Sequence, residues 1–282
     1  MHRHPSFDLW LHDDEELEPL TGEPVAKRAT IHEWPLSCVQ RVTCPSGATH
    51  IYKAQAGPTV EPDFYRCARS PLLLPVQFLP SDHGPAGLLM PDVQTPRLED
   101  LELDEPDALA AVEAVLAGVA AIEGELPALR DIRTPALWLA YGEAAVADLR
   151  SLIDADTFRQ TTGPMVDQVE ACVHSPAVLA ALDGPAGYVH QDLWAENVLV
   201  VDGGYRIIDW QRPVWGPIAL DRFTLVDSLG LDPAAHVSLG ARQMHTLLLI
   251  GWLAEAACRL FPIGAPLYDP AIVDKIAQLA DG

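Results

Sequence analysis

Four polar side chains fall within one short stretch of the sequence, YVHQDLWAENVLVVDGGYRIIDW, which covers residues 188–210. His190, Asp192, Asn197 and Asp209 stand there among segments that are otherwise rich in apolar and β-branched residues. Carboxylate and amide oxygens are hard ligands of the kind that Mg²⁺ prefers. A carboxylate that does not bind the metal can act as a general base. The stretch therefore predicts a site for metal-assisted chemistry, provided that the fold brings these residues together.

A tight turn explains how the residues would meet. Asp202-Gly203-Gly204 separates the runs VLVV and YRII, a pattern typical of a β-hairpin. Asn197 precedes the first strand and Asp209 follows the second, so the hairpin brings both to the same end. Asp192 lies upstream of Asn197 in a loop that we expect to project to that edge. Phosphoryl transfer needs such a group, because metal ions bridge the nucleotide phosphates while an aspartate takes the proton of the attacking hydroxyl.

The pattern H-x-D-x-x-x-x-N, followed by a hairpin and I-D-W, resembles the catalytic loop and metal-binding segment of kinases. HQDLWAEN and IDWQ are closer to the small-molecule branch, which contains aminoglycoside phosphotransferases, choline kinases and ecdysteroid-kinase-like enzymes. Gln191 stands where protein kinases usually carry an arginine, and Trp210 follows Asp209 where they have the phenylalanine of D-F-G. The resemblance implies an α+β, bilobal protein-kinase-like fold with a small β-rich N-terminal lobe and a larger, mainly helical C-terminal lobe.

The resemblance also implies roles for the matching residues of this stretch. Asp192 would be the catalytic base, and Asn197 and Asp209 would bind Mg²⁺. His190 would brace the catalytic loop without taking part in the chemistry, and Asp221, in GPIALDRF, matches an aspartate with the same bracing role. Ordinary structural roles remain open for each residue alone, since an aspartate can cap a helix and a histidine can satisfy a buried carbonyl.

Further matches lie in the first third of the chain. Lys53 matches the family's lysine that grips the α- and β-phosphates of ATP, although a strand lysine is often simply exposed. Its expected partner is Glu61 in EPDFY, with Asp63 as the alternative because a proline places Glu61 at the helix start. Backbone groups from Met90 to Asp92 would form the hinge that bonds adenine, although a plain strand and proline turn explain GLLMPDV equally well. No G-x-G-x-x-G loop is present, and WPLSCVQ stands in its place, where polar Ser37 could replace some of the glycine function.

The surrounding elements follow from composition and periodicity. CVQRVT and THIYKA predict a hairpin, PDFYRCAR predicts a short helix, and six prolines between 71 and 96 bracket two further strands, PVQFL and GLLM. Residues 1–30 are acidic and predict an irregular segment. Later residues predict helices over 107–123, 135–153, 164–182, 218–230 and 240–260. We therefore predict an N-terminal lobe over 1–92 and a C-terminal lobe over 93–282.

Charge and cysteine content limit the partners and the compartment. The formal charge is −22, which repels nucleic-acid phosphates and anionic membranes and suits a small cationic acceptor, although acidity can also serve solubility alone. Five scattered cysteines without a C-x-x-C pair argue against a disulfide or zinc framework. The N-terminal residues lack the apolar core of a signal peptide, and the apolar stretches are too short to span a bilayer. We therefore expect a cytoplasmic protein, whose oligomeric state the sequence leaves open.

The resulting hypothesis is an ATP- and Mg²⁺-dependent phosphotransferase that acts on a hydroxyl of a small molecule, for example an aminoglycoside- or choline-like amine. A protein kinase is one alternative, disfavoured by Gln191 and by the lack of an A-P-E segment after Asp209. A catalytically weak, pseudokinase-like nucleotide sensor is the other, disfavoured because all three core polar residues are present. The identity of the acceptor and the preference for ATP over GTP stay open.

Overall fold

The computed structural model describes residues 1–280, so the last two residues of the predicted C-terminal lobe lie outside the described residues. The strands are β1 His2–Arg3, β2 Trp10–Leu11, β3 Lys27–Trp34, β4 Ser37–Thr43, β5 Thr49–Gln55, β6 Gln77–Leu79, β7 Gly87–Pro91, β8 Arg130–Asp131, β9 Ala186–Val189, β10 Val198–Val201, β11 Gly204–Ile207 and β12 Val214–Pro217. The α-helices are α1 Asp14–Thr21, α2 Glu61–Cys67, α3 Glu105–Ala120, α4 Pro135–Asp154, α5 Gly163–Val173, α6 Pro176–Ala181, α7 Ala219–Ser228, α8 Pro233–His236, α9 Leu239–Glu255 and α10 Ala265–Ala280. The fold is therefore α+β, with strands concentrated early in the chain and helices later, as predicted.

The chain divides into two compact units, each built from separate stretches. The first unit contains Met1–Glu102, Ala117–Leu129 and Trp194–Pro213, and thus the whole segment predicted as the N-terminal lobe together with the β10–β11 hairpin. The second unit contains Leu103–Leu116, Arg130–Leu193 and the described residues from Val214 onward.

A five-stranded antiparallel sheet forms the centre of the first unit. Its order is β3-β4-β5-β7-β6, so β5 has a neighbour on each side. Side chains alternate between the two faces of a strand, which places Tyr52 on one face and Ile51 and Lys53 on the other. Tyr52 packs in a buried apolar cluster with Leu9, Leu17 and other residues from the start of the chain. The face that carries Lys53 is consequently opposite the one covered by the N-terminal residues.

The prediction of an irregular segment over residues 1–30 is wrong. This segment contains β1, β2, α1 and the beginning of β3. Acidic residues favour the first turn of a helix, and the Asp13 backbone N–H donates to Glu16 Oε2 at 2.8 Å at the start of α1. Leu17, which is fully buried, holds α1 against the sheet. The acidic run therefore begins a helix, because the apolar residues around it supply a face that can be buried.

Helices and a short sheet make up the second unit. β12 pairs with β8 in parallel and with β9 in antiparallel orientation. α4, α5, α9 and α10 surround an apolar core that includes the buried Trp138, Leu149 and Met244. The helix predicted over 164–182 is two helices, because Ser175 caps α6 by accepting from the Val178 N–H and a proline follows it. Among the described residues, the helices are all too short or too polar to cross a lipid bilayer.

Candidate active site

Lys53 lies at the centre of a buried group of charges in the first unit. Its side chain is 7 % exposed, and its Nζ lies 2.6 Å from Glu61 Oε2 and 2.7 Å from Asp209 Oδ1. Burial alone would lower the pKa of Lys53, but the charges of Asp209 and Glu61 outweigh it and raise the pKa, so the ammonium form is favoured. Lys53 is therefore an internal cation held between two carboxylates, and not an exposed strand lysine.

Glu61, and not Asp63, is the partner of Lys53. Glu61 is the first residue of α2 and its side chain is fully buried. Its Oε1 also accepts from the Trp210 backbone N–H at 3.2 Å, while Asp63 is exposed and pairs with Arg66 at 2.7 Å. The proline after Glu61 does not prevent this contact, because a proline in the first turn of a helix removes no helical hydrogen bond.

The β10–β11 hairpin carries Asn197 and Asp209. Val198 pairs with Ile207, and the Ile208 N–H donates to the Asn197 carbonyl at 3.1 Å. The two ligand candidates thus stand at the same open end of the hairpin. The tight turn at the other end has Gly203 at φ +82°, a left-handed conformation that glycine adopts without steric cost.

Asp209 has an unusual backbone conformation that its neighbours maintain. Its φ is +70°, a value uncommon for residues other than glycine. The next residue, Trp210, is fully buried and stacks on Phe64 of α2, with ring centroids 4.3 Å apart. The indole Nε1–H donates to the Ile207 carbonyl at 3.1 Å. Trp210 therefore fixes the chain on one side of Asp209 while Lys53 holds its carboxylate.

The carboxylate of Asp209, at the open end of the hairpin, is a group of the kind that binds a magnesium ion. Mg²⁺ typically takes one or two protein carboxylates and completes its shell with water and phosphate oxygens. The Asp209 side chain is 37 % exposed, whereas the side chain of Glu61 is fully buried. Of the two carboxylates beside Lys53, Asp209 is thus the one accessible to a ligand. Asn197 brings an amide oxygen to the same end of the hairpin.

Met90 and Asp92 lie at the end of β7. Met90 pairs with Ile51 and Leu88 pairs with Lys53, so these four side chains share the face that carries the buried charges. The carboxylate of Asp92 is bound by Arg41 of β4 at 2.6 and 3.3 Å, and the Asp92 N–H points to the Thr49 carbonyl at 3.4 Å.

The turn between β3 and β4 occupies the position expected for a phosphate-covering loop. Pro35 and Leu36 form the turn, and Ser37 begins β4. Ser37 is 2 % exposed, and its hydroxyl accepts from the Trp34 indole at 2.6 Å. Its side chain is thus committed to the turn itself.

In the second unit, Asp221 holds the loop that contains Asp192. The carboxylate of Asp221 accepts from the backbone N–H groups of His190 and Gln191 at 2.8 and 2.9 Å. The Asp192 N–H points to His190 Nδ1 at 3.2 Å, and the Thr224 hydroxyl donates to the Leu193 carbonyl at 2.9 Å.

These contacts support the bracing interpretation of Asp221. The residue that precedes α7 and occupies its cap is Ile218, so Asp221 is not the N-cap. Asp221 is 1 % exposed, and burial raises its pKa to about 7 although the two backbone N–H groups act in the opposite direction. Gln191 adopts a left-handed φ of +72°, which the two hydrogen bonds around it stabilise.

Residues 63–257 match the phosphotransferase enzyme family. The chain belongs to this family. The fold of this phosphotransferase is that of protein-kinase-like enzymes. No curated protein matches the chain.

Several solved structures share the fold of this phosphotransferase at low sequence identity. A spectinomycin phosphotransferase in complex with ADP and spectinomycin is 14 % identical with a TM-score of 0.55, over 96 % of this chain and 99 % of that one. A candidate fructosamine-3-kinase from Thermobifida fusca is 22 % identical with a TM-score of 0.56, over 95 % and 98 %. A choline/ethanolamine kinase family protein from Mesorhizobium loti is 12 % identical with a TM-score of 0.62, over 95 % and 94 %.

Another set of possible metal ligands in this phosphotransferase does not suit a metal. His4, Glu33 and Cys38 place their ligand atoms within 4.8 Å of one another. The backbone N–H groups of Ser6 and Phe7 both point to His4 Nδ1 at 3.2 Å, so Nδ1 is the acceptor nitrogen. In the neutral ring Nε2 then carries the proton and donates to Glu33 at 3.2 Å. With this tautomer Nε2 offers no lone pair to a metal, and the contacts of His4 are explained as a hydrogen-bond network without an ion.

Proposed function

We propose that this phosphotransferase transfers the γ-phosphoryl group of ATP to a hydroxyl of a small molecule. The observation that supports this most is the buried ion pair of Lys53 and Glu61, with the accessible carboxylate of Asp209 2.7 Å from the same ammonium. In the family motif these residues hold the nucleotide phosphates and the metal.

The roles follow from the chemistry of each group. Lys53 would hold the α- and β-phosphates through its ammonium, and Asp209 and Asn197 would hold Mg²⁺. The ion would neutralise charge on the phosphate oxygens. A carboxylate oxygen of Asp192 would take the proton of the acceptor hydroxyl, while His190 and Asp221 keep the loop in place.

The apolar residues beside Lys53 suit the nucleotide base. Ile51 and Ile208 are partly exposed and pack with the buried Met90 and Leu199. We propose that adenine lies against these residues and bonds backbone groups at the Met90–Asp92 hinge. The side chain of Asp92, which Arg41 binds, would fix the hinge without touching the base.

Two aspartate variants test these roles. Asp209→Asn should weaken the binding of Mg²⁺-ATP together with turnover, because it removes a charged ligand of the ion. Asp192→Asn should leave Mg²⁺-ATP affinity nearly unchanged and lower turnover by roughly 10² to 10⁴, the usual range for a lost general base. Asp202→Asn, in the exposed hairpin turn, is the matched control.

Calorimetry for nucleotide binding and steady-state kinetics for turnover measure both effects. Equal loss of affinity in Asp192→Asn and Asp209→Asn would mean that both carboxylates hold the metal. Full activity in both variants would contradict the kinase mechanism. A chain that binds nucleotide but transfers no phosphoryl group to any acceptor would favour the nucleotide-sensor alternative.

We propose an acceptor that bears an amine. The net charge of −22 supports this, as does the similarity in fold to proteins named for spectinomycin and for choline or ethanolamine. Paired acceptors with and without the amine should differ in kcat/KM, and the difference should shrink at high salt because ions screen the attraction. Equal reaction of both acceptors at low salt would contradict the electrostatic argument.

A cytoplasmic location belongs to the same proposal. All five cysteines are free thiols, which suits a reducing compartment.

A further inference from the structure

Tyr65 presents a buried hydroxyl with no hydrogen-bond partner among the described residues. Its ring packs against the apolar cluster that contains Leu88 and Met90, and it meets Phe64 edge-on at 5.6 Å. An unsatisfied buried hydroxyl is costly, and native proteins usually supply it with a protein group, a water molecule or a ligand. We therefore expect a water molecule or a ligand to satisfy this hydroxyl.

The hydroxyl lies on the side of α2 that faces the buried charges. Tyr65 comes one helical turn after Glu61, so the two side chains project from the same helix face. Burial raises the pKa of Tyr65 well above its usual value, and the charges of Glu61 and Asp209 raise it further. The hydroxyl thus remains protonated at neutral pH and is available as a donor on the helix face that carries Glu61.

Nucleotide binding would change how strongly the ammonium of Lys53 interacts with the carboxylate of Glu61. An ammonium has three N–H donors, and without nucleotide Lys53 contacts both Glu61 and Asp209. Phosphate oxygens would share the ammonium of Lys53 with Glu61, so the carboxylate of Glu61 would keep its ion pair but be less fully compensated. Because Glu61 is fully buried, bulk water cannot supply the missing part of this interaction.

We propose that Tyr65 is a positioning residue of the nucleotide site, whose hydroxyl donates through one bound water to the Glu61 carboxylate when nucleotide engages Lys53. This inference rests on the proposed nucleotide-binding function. The hydroxyl would keep Glu61, and through it Lys53, in the geometry that holds the phosphates. It touches neither the acceptor nor the reacting atoms.

Tyr65→Phe removes the hydroxyl and keeps the ring. Tyr205→Phe in β11 is the matched control, since it makes the same chemical change on a partly exposed residue of the first unit. The loss of one such hydrogen bond should weaken Mg²⁺-ATP binding by roughly 5- to 30-fold. KM for ATP should rise with it, whereas KM for the acceptor should stay unchanged.

The stability of the nucleotide-free Tyr65→Phe protein distinguishes a positioning role of the hydroxyl from a role in packing. The nucleotide-free Tyr65→Phe protein should be as stable as the original chain or more so, because the variant loses an unsatisfied polar group. If Tyr65→Phe has the same nucleotide affinity and the same KM for ATP as Tyr205→Phe, the inference is wrong. It is also wrong if Tyr65→Phe raises KM for ATP and KM for the acceptor equally. The original chain also reports separately on the proposed function: if it binds no Mg²⁺-ATP by calorimetry, that function is wrong, whatever Tyr65→Phe does.

Discussion

Asp221→Asn should remove a stabilising contribution that is present in acid and lost near neutral pH. Burial raises the pKa of Asp221 to about 7, from an ordinary value of 3.8. The native state therefore holds the proton more tightly than the unfolded state does. The contribution to stability is fully present below the pKa that Asp221 has in the unfolded state, and it disappears as the pH rises through the pKa that Asp221 has in the native state. A shift of this size corresponds to about 4 kcal/mol.

Urea unfolding across about pH 4 to 8 measures this contribution. An amide does not titrate, so the free energy of unfolding of the original chain minus that of the variant should fall by up to about 4 kcal/mol over this range. Asp227→Asn, on the exposed face of the same helix, is the control. A difference that is constant, or that grows with pH, would refute the argument, because the N–H groups of His190 and Gln191 would then be keeping Asp221 charged.

The same variant should also affect turnover. The carboxylate accepts from two backbone N–H groups, whereas an asparagine side chain has one oxygen, so one N–H of the catalytic loop loses its acceptor. Turnover should fall roughly tenfold, since about 1 kcal/mol or more is lost at the loop. Nucleotide affinity should not change, because Lys53 and Asp209 are untouched. A loss of affinity with normal turnover would contradict the bracing role.

Two further variants probe buried charges. Lys53→Met should weaken nucleotide binding and also destabilise the fold by up to about 3–5 kcal/mol, because Glu61, whose pKa burial raises, must then either keep a buried charge without a partner or take up a proton. Adding Glu61→Gln should restore stability but not affinity, as denaturation and calorimetry would show. Asp269→Ala should cost at least about 2 kcal/mol, since this carboxylate accepts from the N–H groups of residues 159–161 and from the Thr161 hydroxyl. These hydrogen bonds outweigh burial and lower the pKa of Asp269. Its contribution to stability should therefore be present above the pKa of the unfolded state and be lost as the pH falls through the pKa of the native state. Urea unfolding of the original chain and of Asp269→Ala should then give free energies of unfolding that converge in acid.

The hairpin and its ligand candidates could be predicted because the information is local. Asp202-Gly203 specifies the turn, and the apolar and β-branched runs VLVV and YRII beside it specify the strands, so Asn197 and Asp209 had to approach each other. Helices α3, α4, α5 and α9 were predictable from apolar residues that lie close together in the chain, whereas α10, which contains Pro270, was not predicted.

Tertiary contacts account for what the sequence did not reveal. The stack of Trp210 on Phe64 joins residues that are far apart in the chain, and no spacing rule predicts it. Whether Glu61 or Asp63 pairs with Lys53 depends on which side of α2 faces the sheet. The bracing role of Asp221 depends on its burial in the second unit. The sequence does not reveal this burial, because an exposed aspartate at the same position would have the same neighbours in the chain.

The discontinuity of the first unit has a consequence for biosynthesis. After Glu102 leaves the ribosome, roughly 110 residues must follow before Pro213 completes the hairpin, which takes on the order of ten seconds. Until then Phe64 lacks its stacking partner, and the Leu72 carbonyl lacks the Ile207 N–H that it accepts at 2.8 Å. The nascent sheet therefore waits with part of its apolar surface exposed until the hairpin has been synthesised.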